Sequence, residues 1–217
     1  MAAVSEAAAF VRAQTALVAP PLVPEIRLHL ASAVTPLWRA TEATLASSDV
    51  PPPYWAFAWP GGQALARYLL DNSNPVRGRS VLDFAAGSGL AGIAAILAGA
   101  ATVTAADIDP FAGAAIVLNA AANGVAIDIV HADPIDRPSA WDVVLAGDVC
   151  YEQPMAGRAT AWLRRLAAGG TEVLLGDPGR SYRPADGLME LARYRVPTSL
   201  DLETRTECEA VVWQVSG

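Results

Sequence analysis

The chain has 217 residues, 53% of them hydrophobic, and its 22 acidic and 15 basic residues give a formal net charge of −7. This acidic balance argues against nucleic acid as the main partner, because binding to phosphates needs a positive face. Every basic residue is an arginine. The absence of lysine excludes lysine-based catalysis by this chain.

Cysteine and histidine give no sign of a disulfide framework or a metal centre. Cys150 and Cys208 are too few for the former, and neither they nor His29 and His131 have the spacing of metal ligands. We therefore predict a metal-free protein in a reducing, cytoplasmic compartment, with no secretory signal. The uncharged span 84–106 is rich in alanine and glycine, so we interpret it as part of a buried βαβ unit and predict no membrane helix.

The elements predicted along the chain divide it into an N-terminal helical extension, residues 1–53, and an α/β domain, residues 54–217. Prolines separate and close the two helices predicted in the extension, at 5–18 and 36–46. In the domain we predict, in order, helix 60–70, strand 80–84, helix 90–97, strand 102–106, helix 110–122, strands 126–130 and 141–146, helix 155–168, strand 172–176, a short helix near Leu188, and strands 194–202 and 209–215. This alternation predicts an α/β sheet with helices on both faces and a terminal antiparallel hairpin.

The most informative segment runs from Val81 to Gly89. It comprises an apolar run of strand type, an Ala/Gly/Ser loop and the start of a helix whose N-terminus would face a ligand. The next predicted strand is followed by Asp107, where a carboxylate can accept hydrogen bonds from two ribose hydroxyls. The pattern therefore predicts a binding site for a cofactor that contains a nucleoside.

Two cofactors fit this pattern. The spacing Gly87-x-Gly89-x-x-Gly92, with Asp107 further along, matches the fingerprint of dinucleotide-binding domains. The acid at Asp83 favours S-adenosylmethionine instead, because a carboxylate repels a pyrophosphate, whereas S-adenosylmethionine carries an ammonium and a sulfonium but no phosphate. The residues alone favour S-adenosylmethionine and leave the dinucleotide open.

The same segment resembles the Rossmann-like S-adenosylmethionine-dependent methyltransferases, whose first strand ends in an acid before a glycine-rich loop. Ala85 replaces the first glycine of that loop, a change that costs little if its φ is negative. The resemblance implies a seven-stranded sheet. The cofactor-binding residues predicted on this basis are Trp59, Asp83, Ala85, Ala86, Gly87, Gly89, Asp107, Asp133 and Gly147.

The four acids at predicted strand ends have separate expected roles, because ligands of such sheets bind beyond the carboxyl ends of the strands. We expect Asp83 to orient the methionine ammonium or the turn, and Asp107 to bind the ribose. Asp133 is expected to contact the adenine amino group or, equally, to form a turn before Pro134. Asp148 lies where the methyl group should be.

Further segments are similar to the seven-stranded protein-lysine methyltransferases. Asp148-x-x-Tyr151 resembles their acceptor-site motif, and segment 52–63, which contains Trp59, resembles their Trp-Pro motif. Segments 20–26 and 176–182 resemble the branch that modifies the electron transfer flavoprotein β-subunit. The resemblance implies a protein-lysine N-methyltransferase with Asp148 and Tyr151 as catalytic residues and that β-subunit as substrate. Having no lysine, the chain cannot methylate its own side chains at lysine.

Several interpretations stay open at this point. Tyr54, Trp55 and Phe57 either wall the acceptor site or pack the N-terminal helices onto the sheet. Arg180 is interpreted as a solvated loop charge, with contact to an acidic protein partner as the alternative. A small-molecule N-methyltransferase, an NAD-binding oxidoreductase and a non-catalytic binding module remain alternative functions.

Overall fold

A computed structural model describes residues 2–32, 52–137, 140–198 and 206–217. The predicted helix 36–46 lies outside these residues. The described elements are α1 (Ala2–Gln14), β1 (Ala16–Val18), β2 (Leu28–Leu30), a single 3-10 turn (Tyr54–Ala56), α2 (Pro60–Asp71), β3 (Ser80–Phe84), α3 (Leu90–Leu97), β4 (Thr102–Ala106), α4 (Pro110–Ala122), β5 (Asp128–Val130), β6 (Val143–Gly147), α5 (Met155–Ala168), β7 (Glu172–Asp177), β8 (Leu188–Pro197) and β9 (Glu207–Val215).

Seven strands form the main sheet in the order β5-β4-β3-β6-β7-β9-β8. The first five are parallel, and β9 runs antiparallel between β7 and β8. Strands β3, β6 and β7 are buried along most of their length, as expected for parallel strands covered by helices on both faces. The predicted seven-stranded α/β sheet with a terminal hairpin is confirmed.

This strand order positions the site. The chain passes from β3 outward to β4 and β5, and then returns to place β6 on the other side of β3. A crevice opens at such a switch point, beyond the carboxyl ends of the strands. The loops after β3, β4 and β6 therefore meet at one edge of the sheet.

Two local predictions are wrong. The short helix near Leu188 is the first part of β8, which pairs with β9 from Leu188 to Pro197. Leu, Met, Glu and Ala are good helix formers, but a neighbouring strand edge overrides such weak local preferences. The helix predicted over 5–18 ends at Gln14, because residues Ala16–Val18 pair as β1 with β2.

The N-terminal segment packs closely on the α/β sheet. Ile26 and Leu28 are fully buried in one apolar cluster with Ile93 of α3. Side-chain oxygens of Asn119 and Asn123 accept hydrogen bonds from backbone N–H groups of this segment, at 2.7 and 2.9 Å. Among the described residues, no helix is long and apolar enough to span a membrane. A domain boundary at residue 53 stays a prediction.

Candidate active site

Asp83 lies at the base of the loop after β3. It is only 2% exposed, and its Oδ2 accepts a hydrogen bond of 2.8 Å from the backbone N–H of Gly92, in the first turn of α3. The pKa of this carboxyl is raised to about 7, chiefly by burial and to a smaller extent by the nearby Asp107, against the lowering effect of the Gly92 hydrogen bond. In this structure Asp83 orients the turn, one of the two roles expected of it.

The loop itself depends on left-handed backbone conformations. Gly87 and Gly89 have φ values of +52° and +76°. Ala85 has φ +51°, so the assumption of a negative φ at this position is wrong. An L-residue in this region brings its Cβ close to the carbonyl oxygen, at a cost of roughly 1–2 kcal/mol. The neighbouring Ala86 donates its N–H to the carbonyl of Ala106, 3.2 Å away.

Asp107 connects this loop to the end of β4. Its Oδ2 accepts a hydrogen bond of 2.8 Å from Gly87 N, and its Oδ1 accepts one of 2.9 Å from Asp109 N. Burial raises the pKa of Asp107 and those backbone hydrogen bonds lower it. Asp109 caps α4 by accepting a hydrogen bond from Phe111 N. Asp107 thus stands beside the glycine loop, where a ribose is expected.

Asp133 makes the turn contact that was one of its two expected roles. Its Oδ1 accepts a hydrogen bond of 2.9 Å from Ile135 N, and its Oδ2 lies 3.2 Å from Nη2 of Arg158. Both side chains of this ion pair are substantially exposed. Contact with adenine stays a prediction for Asp133.

The start of α2 lies directly against the ends of β6 and β7. A Cβ added to Gly61 would collide with the carbonyl oxygen of Gly176 and lie 2.6 Å from Oδ2 of Asp148. A Cβ on Gly147 would lie 3.1 Å from Cα of Gly62. The Pro-Gly-Gly sequence therefore permits a helix N-terminus to pack onto strand backbone. Gly147, predicted to bind the cofactor, serves this packing, and its cofactor contact stays a prediction.

Asp148 follows β6 and is 8% exposed. Its backbone is left-handed, with φ +56°, and its N–H donates to the carbonyl of Gly176. Its Oδ2 accepts a hydrogen bond of 2.9 Å from Gly62 N, at the N-terminus of α2. Burial raises the pKa of Asp148 to about 6, although Arg180 and Gly62 both lower it.

The prediction that Arg180 is a solvated loop charge is wrong, because its side chain is largely buried and paired with Asp148. Its side chain is 21% exposed, and Nη2 lies 3.1 Å from Oδ1 of Asp148. The guanidinium carbon lies 5.8 Å from the centroid of the Trp59 ring. The sequence could not indicate this pair, because the two residues belong to loops after different strands, β6 and β7.

Asp177 is a functional candidate that the sequence analysis did not identify. It is 1% exposed at the end of β7, and its Oδ1 accepts hydrogen bonds from Gly179 N and Arg180 N at 2.7 and 2.8 Å. Its side chain thereby fixes the backbone that carries Arg180 toward Asp148. The Asp-Pro-Gly sequence was the available signal, because Asp commonly hydrogen-bonds the backbone two residues further on in turns.

Three aromatic side chains, Tyr54, Trp59 and Tyr151, lie close to one another. The ring centroid of Tyr54 lies 5.2 Å from that of Tyr151 and 6.0 Å from that of Trp59. Nε1 of Trp59 donates a hydrogen bond of 2.9 Å to the Tyr54 carbonyl. Trp55, by contrast, is buried and stacks on Phe111 in the packing of the N-terminal segment. Trp55 therefore takes the packing role of its two predicted alternatives, whereas a role of Tyr54 in the wall of an acceptor site stays a prediction.

Comparison with known proteins identifies the family. The chain is 40% identical to an electron transfer flavoprotein β-subunit lysine methyltransferase of Xenopus laevis, over 94% of this chain and 85% of that protein. It is also 40% identical to the protein of that description from Homo sapiens, over 86% of this chain and 71% of that protein. The chain belongs to this family. It is therefore an S-adenosylmethionine-dependent methyltransferase.

One family model and two solved structures show broader likenesses. The family model of ribosomal protein L11 methyltransferase (PrmA) matches residues 64–150 of this methyltransferase. A putative RNA methyltransferase from Pyrococcus horikoshii is 16% identical, with a TM-score of 0.54 over 82% of this chain and 99% of that one. A magnesium protoporphyrin IX methyltransferase from Synechocystis with bound SAH is 18% identical, with a TM-score of 0.53 over 72% of this chain and 81% of that one. These two solved structures show the shared fold alone.

The electrostatics of the glycine loop suit the cofactor of this family. Asp107 raises the pKa of Asp83, so two carboxyl groups lie close enough to interact at this loop. A dinucleotide would add two negative phosphates here, whereas S-adenosylmethionine adds a sulfonium and an ammonium. The dinucleotide alternative is thus set aside by both the family and the charge of the loop.

Proposed function

We propose that this methyltransferase transfers methyl groups to lysine side chains of the electron transfer flavoprotein β-subunit. The relatives that carry this substrate in their name are similar to most of the chain. The observation that carries the proposal is Asp148, a buried carboxylate at the switch-point edge of the sheet, whose ion-pair partner Arg180 lies over the Trp59 ring. A carboxylate and an aromatic ring together are suited to binding an alkylammonium.

The acceptor must lose a proton before it can take a methyl group. A lysine with a pKa of about 10.4 is neutral in only about one molecule in 2,500 at pH 7, which corresponds to about 4.6 kcal/mol. Asp148 stabilises the charged form, so we assign it the capture and aiming of the ammonium. Burial raises the pKa of Tyr151 well above its usual value, so its phenol stays protonated and is not the base.

Positioning then provides most of the catalysis. S-adenosylmethionine supplies a methyl group activated by its sulfonium. Asp148, held by Gly62 N, aims the acceptor nitrogen. The rings of Tyr54, Trp59 and Tyr151 exclude water and thereby favour the neutral amine. We assign Asp83 and Asp107 to the cofactor's ammonium and ribose, with the glycine loop between them.

Charge and cysteine chemistry support a protein partner in a reducing compartment. The net charge of −7 favours encounter with a basic, lysine-bearing surface and disfavours nucleic acid. Two cysteines, Cys150 and Cys208, are too few for a disulfide framework. We accordingly propose a cytoplasmic location for the enzyme.

Incubation with labelled S-adenosylmethionine and purified electron transfer flavoprotein tests the proposal. We expect label on lysines of the β-subunit. Asp148→Asn keeps an oxygen for Gly62 N but loses the charge, so methyl transfer should fall at least about 100-fold, as is typical when one partner of a buried charge pair is removed. Its affinity for S-adenosylhomocysteine should stay within about twofold of the wild-type value, because the residue is assigned to the acceptor.

Two results would contradict parts of this proposal. Cofactor binding without label on the flavoprotein would remove the substrate assignment, and label on a small amine instead would favour a small-molecule N-methyltransferase. Equal loss of transfer and of cofactor affinity in Asp148→Asn would make Asp148 a cofactor ligand. The ribosomal L11 match does not compete here, because residues 64–150 contain the cofactor loop and Asp148 but not the loop of Arg180.

A further inference from the structure

The guanidinium of Arg180 lies beside Asp148 and forms an ion pair with it. Nη2 of Arg180 lies 3.1 Å from Oδ1 of Asp148, and the guanidinium carbon lies 5.8 Å from the Trp59 centroid. These are the carboxylate and the aromatic face assigned above to the acceptor ammonium. The residue therefore occupies the place where the substrate's charge is expected.

The loop after β7 is built to deliver this side chain. Asp177 accepts hydrogen bonds from the N–H groups of Gly179 and Arg180, and Gly179 has φ +89°. The next two residues, Ser181 and Tyr182, are exposed, whereas the Arg180 side chain is turned inward. The placement of Arg180 thus follows from the geometry of its loop.

We propose that the Arg180 guanidinium occupies the ammonium position of the acceptor lysine, and that substrate binding exchanges one cation for the other at Asp148. This inference rests on the proposed function of the site. The exchange keeps a positive charge beside a buried carboxylate in both states, so Asp148 is never left buried and unpaired.

The groups around Asp148 shift its pKa in opposite directions, and Arg180 is one of those that favour the charged form. Among the described residues, the groups besides Arg180 that shift the pKa of Asp148 are Gly62 N, at the N-terminus of α2, which lowers it, and the carboxyl of Asp177, which raises it. The buried thiol of Cys150 lies close enough to feel both carboxylates. Arg180 lowers the pKa of Asp148 and so favours the ionised carboxylate, which is the form that binds an ammonium.

The exchange also implies selectivity for lysines of docked proteins. A tethered guanidinium is present at high effective concentration, so a free amine at low concentration competes poorly with it. A lysine on a protein that is already docked is itself tethered and can compete. Arg180 would thus be a specificity-determining residue that disfavours small amines.

The variant Arg180→Lys provides a direct test, because the wild-type chain contains no lysine. Nζ of a lysine is as many bonds from the backbone as the arginine guanidinium carbon, which faces Trp59. With S-adenosylmethionine bound, we expect methylation of the introduced lysine: its ammonium gives up a proton to water, the N–C bond forms as the C–S bond breaks, and S-adenosylhomocysteine remains. Peptide mapping by mass spectrometry should find the label at position 180. The first-order rate constant of this labelling should be independent of enzyme concentration, because the reaction takes place within one molecule.

The matched control is Arg183→Lys, in the same loop. Arg183 lies over the Trp213 ring and near Asp177, and a lysine introduced there should stay unmethylated. Three results would each overturn the inference. They are equal labelling of the two variants, a first-order rate constant of labelling that rises with enzyme concentration, and no label at position 180 in an Arg180→Lys protein that still methylates the flavoprotein. Labelling at position 180 by an enzyme that does not modify the flavoprotein would uphold the inference and reject the substrate assignment.

Binding without turnover gives a second readout. We expect Arg180→Gln, saturated with S-adenosylhomocysteine, to bind n-butylammonium several-fold more tightly than wild type does in calorimetry at about pH 9, well above the pKa of about 6 that Asp148 has in the wild type. Arg183→Gln should bind it as wild type does. Unchanged or weaker binding by Arg180→Gln would mean that the guanidinium stays at Asp148 when the acceptor binds, and the exchange would be wrong.

Discussion

At the scale of single residues, burial of Asp83 lowers the stability of the folded state once this carboxyl ionises. The same residue is expected to bind the cofactor. Its pKa is raised to about 7, chiefly by burial, from an ordinary value near 3.8. The folded state therefore holds this proton more tightly than the unfolded chain does. The resulting contribution to stability is fully present below about pH 4 and is lost as the pH rises through about 7, at about 1.4 kcal/mol for each unit of pKa difference.

Asp83→Asn removes this ionisation and keeps an oxygen for Gly92 N. We expect the variant to be more stable than wild type at about pH 8, by a few kcal/mol in urea unfolding, and the difference to shrink as the pH falls to about 4. If Asp83 also orients the methionine ammonium, affinity for S-adenosylhomocysteine should fall at least about tenfold. A pH-independent stability difference would contradict the ionisation argument, and unchanged affinity would restrict Asp83 to the turn.

The sequence predicted the acids of this site better than their partners. Asp83, Asp107 and Asp148 follow from strand ends, because parallel strands bring their carboxyl ends to one edge. The pairing of Asp148 with Arg180 depends on β6 lying beside β7 and on the turn made by Asp177. The positive φ of Ala85 likewise has no signal in its residue type, since alanine rarely adopts it.

At the scale of elements, the contact between α2 and the strand ends is the most demanding one near the site. Gly61→Ala would place a Cβ against Gly176 O and 2.6 Å from Oδ2 of Asp148, so the helix start must move. We expect a loss of about 1–3 kcal/mol in stability. Methyl transfer should fall at least about 100-fold, because a displacement of about 1 Å at the catalytic group can cost that much.

Gly62→Ala is the matched control for that variant. Nothing lies within 4 Å of a Cβ at Gly62, and its N–H to Asp148 is retained. This variant should keep its activity and be neutral or up to about 1 kcal/mol more stable, because alanine favours a helix over glycine. Thermal unfolding and initial rates of the two variants measure both effects, and equal damage in both would show that the contact is not steric.

Helices and strands were predicted correctly where the local sequence pattern determines the element. The prediction failed where pairing with a distant strand determines it. Helices α4 and α5 have the predicted bounds, since alternation with buried strands leaves them little choice. Strand β8 contains a sequence with good helix formers and becomes extended only because β9 offers a pairing edge along its length. Strand β1 arises in the same way from its pairing with β2.

At the scale of the whole molecule, the N-terminal segment and the sheet form a shared core. Val23, Ile26 and Leu28 are fully buried against α3, and α1 places Val11 in a second cluster with α4. A domain boundary at residue 53, as predicted, would divide both clusters, because it would separate the N-terminal side chains from the residues of α3 and α4 on which they pack. Each large apolar side chain is worth about 1.5–3 kcal/mol when buried, so the loss would exceed much of a typical domain's stability.

We therefore expect residues 54–217, produced without the first 53, to melt at least about 10 °C below the full chain or to aggregate, because its exposed clusters correspond to several kcal/mol. The full-length Ile26→Ala variant should lose about 2–5 kcal/mol through the same contact, which separates loss of packing from loss of chain length. Differential scanning calorimetry with and without S-adenosylhomocysteine measures both proteins. A fragment with the melting temperature and cofactor affinity of the full chain would instead establish residue 53 as a true domain boundary, and would mean that the buried N-terminal contacts contribute little to the stability of the cofactor loop.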